Sequence, residues 1–185
     1  MGKLFVISGA SGVGKSTVLK AVTAVRNDLE FSVSVTTREP REGEIDGVHY
    51  DFITREKFLE MVDADAFAEY DIHHSACYGT PRKQMEEKLN KGHVILDIDP
   101  NGAFQVRERY PEVTLIFITP PSYEELEKRL RGRNDGMAEE KIVGRLDRAK
   151  WEMEQSERYD HVVVNDDVER CAKEILNIIS DKEHE

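Results

Sequence analysis

The chain has 185 residues, 39% of them hydrophobic and 34% charged, and 37 acidic residues against 26 basic ones leave a net charge of −11. That length suffices for one buried core, the hydrophobic share excludes a disordered chain, and the acidic balance speaks against a basic face for a nucleic-acid backbone. The longest stretches free of Asp, Glu, Lys and Arg, Leu4–Gly14 and Val113–Tyr123, hold 11 residues each, against the roughly 20 that a membrane-spanning helix needs. Lys3 ahead of Leu4–Val13 faintly resembles a signal peptide, but Lys15 follows and no small-residue cleavage site does. Val6 stands where myristoylation at Gly2 wants Ser or Thr. Cys77 and Cys171 form no CxxC pair, so no disulfide framework or zinc site is expected, and a reducing cytoplasm is the expected compartment.

Taken in order, Lys3–Ser8 is a short apolar run followed by glycines and then by a helical pattern from Ser16 to about Arg26: strand, loop, helix. Phe31–Thr37 alternates and is β-branched, which predicts a half-exposed strand, and Gly43–Tyr50 predicts a turn and a strand that continues through Asp51-Phe52-Ile53. Helices are predicted at Lys83–Lys91, Ala103–Tyr110, Tyr123–Arg131, Glu139–Arg158 and Val168–Ser180. Buried strands are predicted at Val94–Ile98, Thr114–Ile118 and Val162–Val164. The alternation indicates an α/β fold with a parallel sheet. Residues 32–80 break that rhythm and suggest an inserted β-rich subdomain. Arg129–Arg148 breaks it again and holds five of the 14 arginines. The single domain is thus expected to consist of a core (1–31, 81–122 and 159–185), an insertion (32–80) and a lid region (123–158).

Gly9-Ala10-Ser11-Gly12-Val13-Gly14-Lys15-Ser16 matches G-x-x-x-x-G-K-[ST], placed after a strand and opening a helix. Its glycines let backbone N–H groups cradle phosphate oxygens, Lys15 would reach the β- and γ-phosphates, and Ser16 would ligate Mg²⁺. The helix start, with Thr17 in its first turn, adds a positive dipole end. Asp97, ending an apolar run, is placed as the Mg²⁺-associated acid of such folds. A GTPase would carry Asn-Lys-x-Asp after a late strand. The nearest string, Asn90-Lys91-Gly92-His93, ends in His and precedes a strand, so a GTP switch is not supported.

A second cluster follows. Ser34-Val35-Thr36-Thr37-Arg38-Glu39-Pro40-Arg41-Glu42-Gly43-Glu44 puts two arginines around a proline, a spacing able to clamp a phosphate by fork geometry. Downstream stand Gly47-Val48-His49-Tyr50-Asp51-Phe52, Phe67-Ala68-Glu69-Tyr70, Tyr78-Gly79-Thr80 and Leu96-Asp97-Ile98-Asp99. Arg129-Leu130-Arg131-Gly132-Arg133 and Val163-Val164-Asn165-Asp166 complete the set. In this order the motifs resemble guanylate kinase, a P-loop nucleoside monophosphate kinase family, and the resemblance runs from Lys3 to Ile179. It implies a P-loop core with a GMP-binding insertion and a helical lid, and transfer of the γ-phosphoryl group of ATP to GMP, with dGMP also accepted. By that resemblance Arg38, Arg41, Tyr50 and Tyr78 would hold the GMP phosphate, and Ser34, Glu69, Thr80 and Asp99 would surround guanine. Arg129, Arg133 and Arg145 would close on the ATP phosphates, with catalysis resting on Lys15, Arg38, Arg133 and Arg145, and Asn165 would lie near adenine. ATP, GMP and Mg²⁺ are the implied ligands, for a monomer or a homodimer with neither nucleic acid nor membrane as partner. An ionised Glu69 is acceptor-only and matches the N1–H and N2–H₂ donors of guanine. Both interruptions are expected to close over the bound nucleotides and exclude water.

The chain departs from the family pattern at Ser75-Ala76-Cys77, at Asn134 and at Pro100-Asn101-Gly102, where Pro100 is expected to stiffen a loop beside Asp99. Other residues take plainer readings: His73-His74 as solvent-exposed loop, Cys77 as a packed small residue, Trp151 as core, Arg107 and Arg109 as a solvated helix face. The rival from another class is a non-catalytic guanylate-kinase-like binding module. Such modules typically lack the phosphate-loop lysine or the lid arginines, and Lys15, Arg133 and Arg145 are all present.

Overall fold

A computed structural model describes residues 2–132 and 138–184. The chain forms two compact units, one built from Met1–Leu4 and Leu29–Val113, the other from Phe5–Asp28 and Thr114–Glu185.

The second unit is organised on three parallel strands, β1 (Leu4–Gly9), β8 (Thr114–Thr119) and β9 (His161–Val164). Phe5 to Gly9 run in register with Thr114 to Ile118, and Ile116 to Thr119 with His161 to Val164. Phe5, Val6 and Ile7 are fully buried, as are Leu115 to Ile118. Unbroken apolar runs of this kind mark parallel strands covered on both faces. Helix α1 (Lys15–Val25) follows β1, α5 (Tyr123–Gly132) and α6 (Glu139–Glu154) follow β8, and α7 (Val168–Glu183) closes the chain. Asp167 caps α7 by accepting from the Arg170 N–H at 2.9 Å. The predicted helix 139–158 ends four residues earlier, because Gln155–Arg158 tightens into a 3₁₀ turn, a common finish for a helix.

The first unit holds strands of two sheets. Short β2 (Glu30–Phe31) pairs parallel with β7 (Val94–Asp97). A four-stranded sheet has the order β4 (Tyr50–Phe52), β3 (Ser34–Thr36), β6 (Cys77–Pro81), β5 (Phe67–Ile72). Only β3–β4 is parallel within it. The predicted strand 31–37 is therefore two strands in two sheets. Its alternation carries no record of which partner each half meets. Its second half is not half-exposed either: Val35 and Thr36 are consecutive and both buried, with the Thr36 hydroxyl satisfied by the Cys77 carbonyl at 2.9 Å. In the stretch 43–50, Gly43 and Gly47 sit at positive φ (83° and 76°), which keeps the chain in turns until Tyr50.

The insertion also contains an unforeseen helix, α2 (Arg55–Asp63), capped by the Thr54 hydroxyl accepting from the Lys57 N–H at 3.2 Å. Helix α2 exists to bury Phe58, which stacks on Phe67 at 4.7 Å between centroids and joins Val35 and Cys77 in a small core. Helices α3 (Arg82–Leu89) and α4 (Pro100–Arg109) complete the unit. Helix α4 starts three residues before the predicted Ala103, because Asp99 caps it and Pro100 occupies the first helical position. There the missing N–H costs nothing and the fixed φ helps, so Pro100 begins a helix rather than stiffening a loop. Phe58→Ala is expected to cost about 3–5 kcal/mol in urea-induced unfolding, and Phe58→Leu much less. A loss below about 1 kcal/mol for the alanine variant would contradict Phe58 as the centre of this core.

Candidate functional site

Residues 9–16 link β1 to α1 in the second unit. Gly12 and Gly14 take φ of 87° and 94°, the left-handed region that a side chain resists. A Cβ at Gly12 would meet Leu130 Cδ2 at 2.5 Å, so the loop also lies close against α5. Helix α1 begins without a side-chain cap and without an acidic residue in its first turn, which leaves its positive end for an external anion. The Asn165 amide donates to the Val13 carbonyl at 2.7 Å, and Arg129 donates to the Asn165 carbonyl at 3.0 Å. Glu125, one turn back on α5, holds the Arg129 Nε at 3.0 Å. Arg145 Nε reaches the Ser11 hydroxyl at 3.4 Å, and the Ser11 N–H donates to Glu152 Oε2 at 2.7 Å. The structure thus brings Gly9 to Ser16, Arg129, Arg145 and Asn165 together. Thr17 lies exposed in the first turn of α1, and its N–H donates to the Gly14 carbonyl at 3.0 Å. Arg133 lies outside the described residues.

The first unit carries the other candidates. Arg38 forks onto Glu44, with Nη1 and Nη2 at 2.6 and 2.7 Å from its two oxygens. The Arg41 N–H adds a third bond to Glu44 at 2.8 Å. The Arg38 guanidinium lies 5.0 Å from the Tyr50 ring centre, and Tyr78 meets Tyr50 edge-on at 6.1 Å. Hydrogen bonding from Arg38 pushes the Glu44 carboxyl down to about 2, and the same pair raises Arg38 further above its usual range. Ser34 opens β3 opposite Tyr50. The Arg41 side chain is exposed.

Glu69 sits on β5 opposite Thr80, at a register shift between Phe67 and Glu69. It is 6% exposed, and the Thr80 hydroxyl donates to its Oε1 at 2.5 Å. Its Oε2 occupies the space a side chain at Gly102 would need, since a Cβ there would lie 2.7 Å away. Burial pushes the Glu69 carboxyl up to about 7, the Thr80 hydrogen bond opposes the rise, and the nearby charge of Asp99 adds to it. The carboxylate that sequence reasoning treats as simply ionised therefore holds its proton near neutrality. Asp99 accepts from the Gly102 N–H at 3.0 Å as the cap of α4. Asp97 ends β7 and is exposed in the first unit, while Ser16 is exposed on α1 in the second. Each offers a hard oxygen suited to Mg²⁺.

Glu44, Gln105 and Glu152 join these residues without a sequence signal of contact: Glu44 lies within the run Ser34–Glu44 and Glu152 has the helical spacing i+7 from Arg145, but neither pattern shows a partner. Gln105 bonds both backbone groups of Tyr70, at 3.1 and 3.0 Å. His73 and His74 are exposed, Cys77 is buried, and Trp151 is half-buried under the Arg148 guanidinium at 4.9 Å rather than core. Arg109 is not merely solvated, because it pairs with Asp65 at 2.7 Å. Among the described residues no helix is long and apolar enough to cross a membrane.

A family model described as guanylate kinase matches residues 1–182. A guanylate kinase of Prochlorococcus marinus (strain NATL2A) is 44% identical over 176 residues, covering 95% of this chain and 94% of that protein. One from Thermus thermophilus is 46% identical over 182 residues, covering 97% and 81%. The crystal structure of guanylate kinase from Anaplasma phagocytophilum superposes with a TM-score of 0.79 at 34% identity, covering 100% of this chain and 87% of that one.

The Glu69 value near 7, against an ordinary 4.5, means that the folded chain binds this proton more tightly than the unfolded chain. Its contribution to stability is full at acid pH and is lost as pH rises through about 7. Glu69→Gln, neutral at every pH, is expected to flatten the pH dependence of the melting temperature between pH 5 and 8. It should also raise the melting temperature above the parent at pH 8. Identical pH slopes in the two proteins would overturn this.

Proposed function

Because the chain belongs to the guanylate kinase family, we propose that it transfers the γ-phosphoryl group of ATP to GMP, and to dGMP, giving ADP and GDP or dGDP. Glu69 carries this reading. A phosphate loop alone implies only a nucleotide triphosphate, whereas a buried carboxyl beside Thr80 and Asp99 has the chemistry to select a base. Guanine offers two donors on one edge to a carboxylate, while adenine turns a lone pair toward it. Sites built on such bonds reject the wrong partner by up to about 10⁴–10⁵. Binding of guanine supplies the donors that stabilise the charged form of Glu69, so GMP binding releases the proton that burial retains.

On the donor side, the Gly9–Ser16 backbone, Lys15, Arg129 and Arg145 bind the ATP phosphates, with Arg133 as a further cation. Asn165 lies toward adenine. Arg38, Arg41, Tyr50 and Tyr78 hold the GMP phosphate, with Ser34 and Asp99 joining Glu69 and Thr80 around the base. The acceptor is already an anion and needs no general base. Catalysis is alignment of that oxygen with the γ-phosphorus together with neutralisation of charge. Mg²⁺ bound with ATP supplies further charge neutralisation on the phosphate oxygens, and the Ser16 hydroxyl and Asp97 would hold it. Residues 32–80 act as the GMP-binding insertion and 123–158 as the lid, whose closure excludes water. The reading places the enzyme in the cytoplasm as a monomer or a homodimer, with no nucleic-acid or membrane partner.

A coupled ADP-release assay with ATP and each of GMP, dGMP, AMP, UMP and CMP is expected to give turnover with GMP and dGMP alone. Lys15→Ala should lower kcat by about 10²–10³-fold, the usual loss of one well-placed donor to a transition state. Calorimetric affinity for GMP should be unchanged. Equal loss of GMP affinity would overturn the assignment of Lys15 to the donor side.

A further inference from the structure

Among the described residues two carboxylates are more than nine-tenths buried, Glu69 at 6% exposure and Glu152 at 7%. A carboxylate kept from water needs partners for its oxygens. Glu152, near the end of α6, has them: Oε2 accepts from the Ser11 N–H at 2.7 Å, and Oε1 from Arg148 Nε at 2.9 Å. Arg148 is itself held over the Trp151 ring at 4.9 Å. Ser11 is the third residue of the phosphate loop, 141 positions away in the chain, and its hydroxyl faces Arg145 Nε at 3.4 Å. Arg145, Arg148 and Glu152 follow the i, i+3, i+7 spacing of a single helix face.

One residue of the loop is therefore held twice by one helix: its N–H donates to a carboxylate and its hydroxyl oxygen accepts from a guanidinium. Ser11 adjoins Gly12, whose positive φ lets the loop turn and whose bare Cα lies against Leu130. A shift at Ser11 thus propagates into the turn that aims the cradle. It also alters the contact that steadies Arg145.

We propose that Glu152 is a positioning residue of the phosphoryl-donor site, fixing Ser11 so that the phosphate loop and Arg145 keep one mutual geometry. This rests on the reading of the loop and Arg145 as the ATP side, and goes beyond it in giving a role to a buried acid that touches no substrate. The test is steady-state kinetics for both nucleotides with E152A, E152Q, R145A and the double variant E152A/R145A. E152A is expected to lose about 10–100-fold in kcat/KM for ATP, the scale of a small misplacement of reacting groups, with the KM for GMP within twofold of the parent. E152Q retains a carbonyl oxygen for the Ser11 N–H and should recover most of that loss. Because Glu152 acts on the loop and on Arg145 through the same residue, Ser11, the loss in the double variant is expected to fall short of the product of the two single losses, whereas a purely structural role makes the two losses multiply. Should E152A fail to fold, E152L and E152L/R145A, which remove the acceptor for the Ser11 N–H while filling its space, close the same cycle. Multiplying losses, or an equal rise in KM for ATP and GMP, would overturn the proposal. R145A with parental rates would instead remove the reading of Arg145 on which it stands.

Discussion

Polar groups taken out of water must find partners, and here the partners come from far along the chain. Asn165, 4% exposed, spends its amide on the Val13 carbonyl across 152 positions, and its own carbonyl receives Arg129. Glu152 receives the Ser11 N–H. In the first unit, Thr80 and Glu69 satisfy each other across β5 and β6, and Thr36 closes on Cys77. Leaving one such group unmet costs about 1–3 kcal/mol, more for a charge. Each bond therefore fixes a loop or strand that local propensity alone would leave free. The phosphate loop owes its shape as much to α5, α6 and the residue after β9 as to its own glycines.

In a chain of net charge −11, candidate arginines in both units are paired to carboxylates: Arg38 with Glu44 and Arg129 with Glu125. The Arg38–Glu44 pair is a two-pronged fork of the kind guanidinium groups form with planar anions. The guanidinium is held in one orientation, between Glu44 and the Tyr50 ring.

How far the sequence spoke depended on the range of the signal. Strands β1, β7, β8 and β9 were legible because an apolar run bounded by turn residues is a local pattern. The phosphate loop was legible because its glycines and lysine are consecutive. Helix α2 is hidden in the sequence although Thr54 and Phe58 carry its cap and its buried face, because β-patterned runs flank it on both sides. The run 31–37 predicts one strand because alternation does not say which sheet each half joins. The candidate residues could be enumerated from motifs. Their partners, Glu44 for Arg38 and Glu152 for Ser11, could not, since a hydrogen bond across 141 positions leaves no spacing to count.

Helix α4 shows the same limit from the side of space rather than contact. Gly102 is left bare because the Glu69 carboxyl fills the volume a Cβ would take. The Gly102 N–H goes to Asp99 as a helix cap. Three residues on, Gln105 donates to the Tyr70 carbonyl and accepts from its N–H, doing for the edge of β5 what a further strand would do. Asp99, Gly102 and Gln105 thus bring a helix start, a bare Cα and a strand edge together around Glu69. The proline that departs from the family pattern sits inside it at no cost, because the first turn of a helix has no use for its N–H. A buried acid whose proton is held near neutrality needs such a frame, since a carboxyl free to swing toward water would relax to its ordinary value.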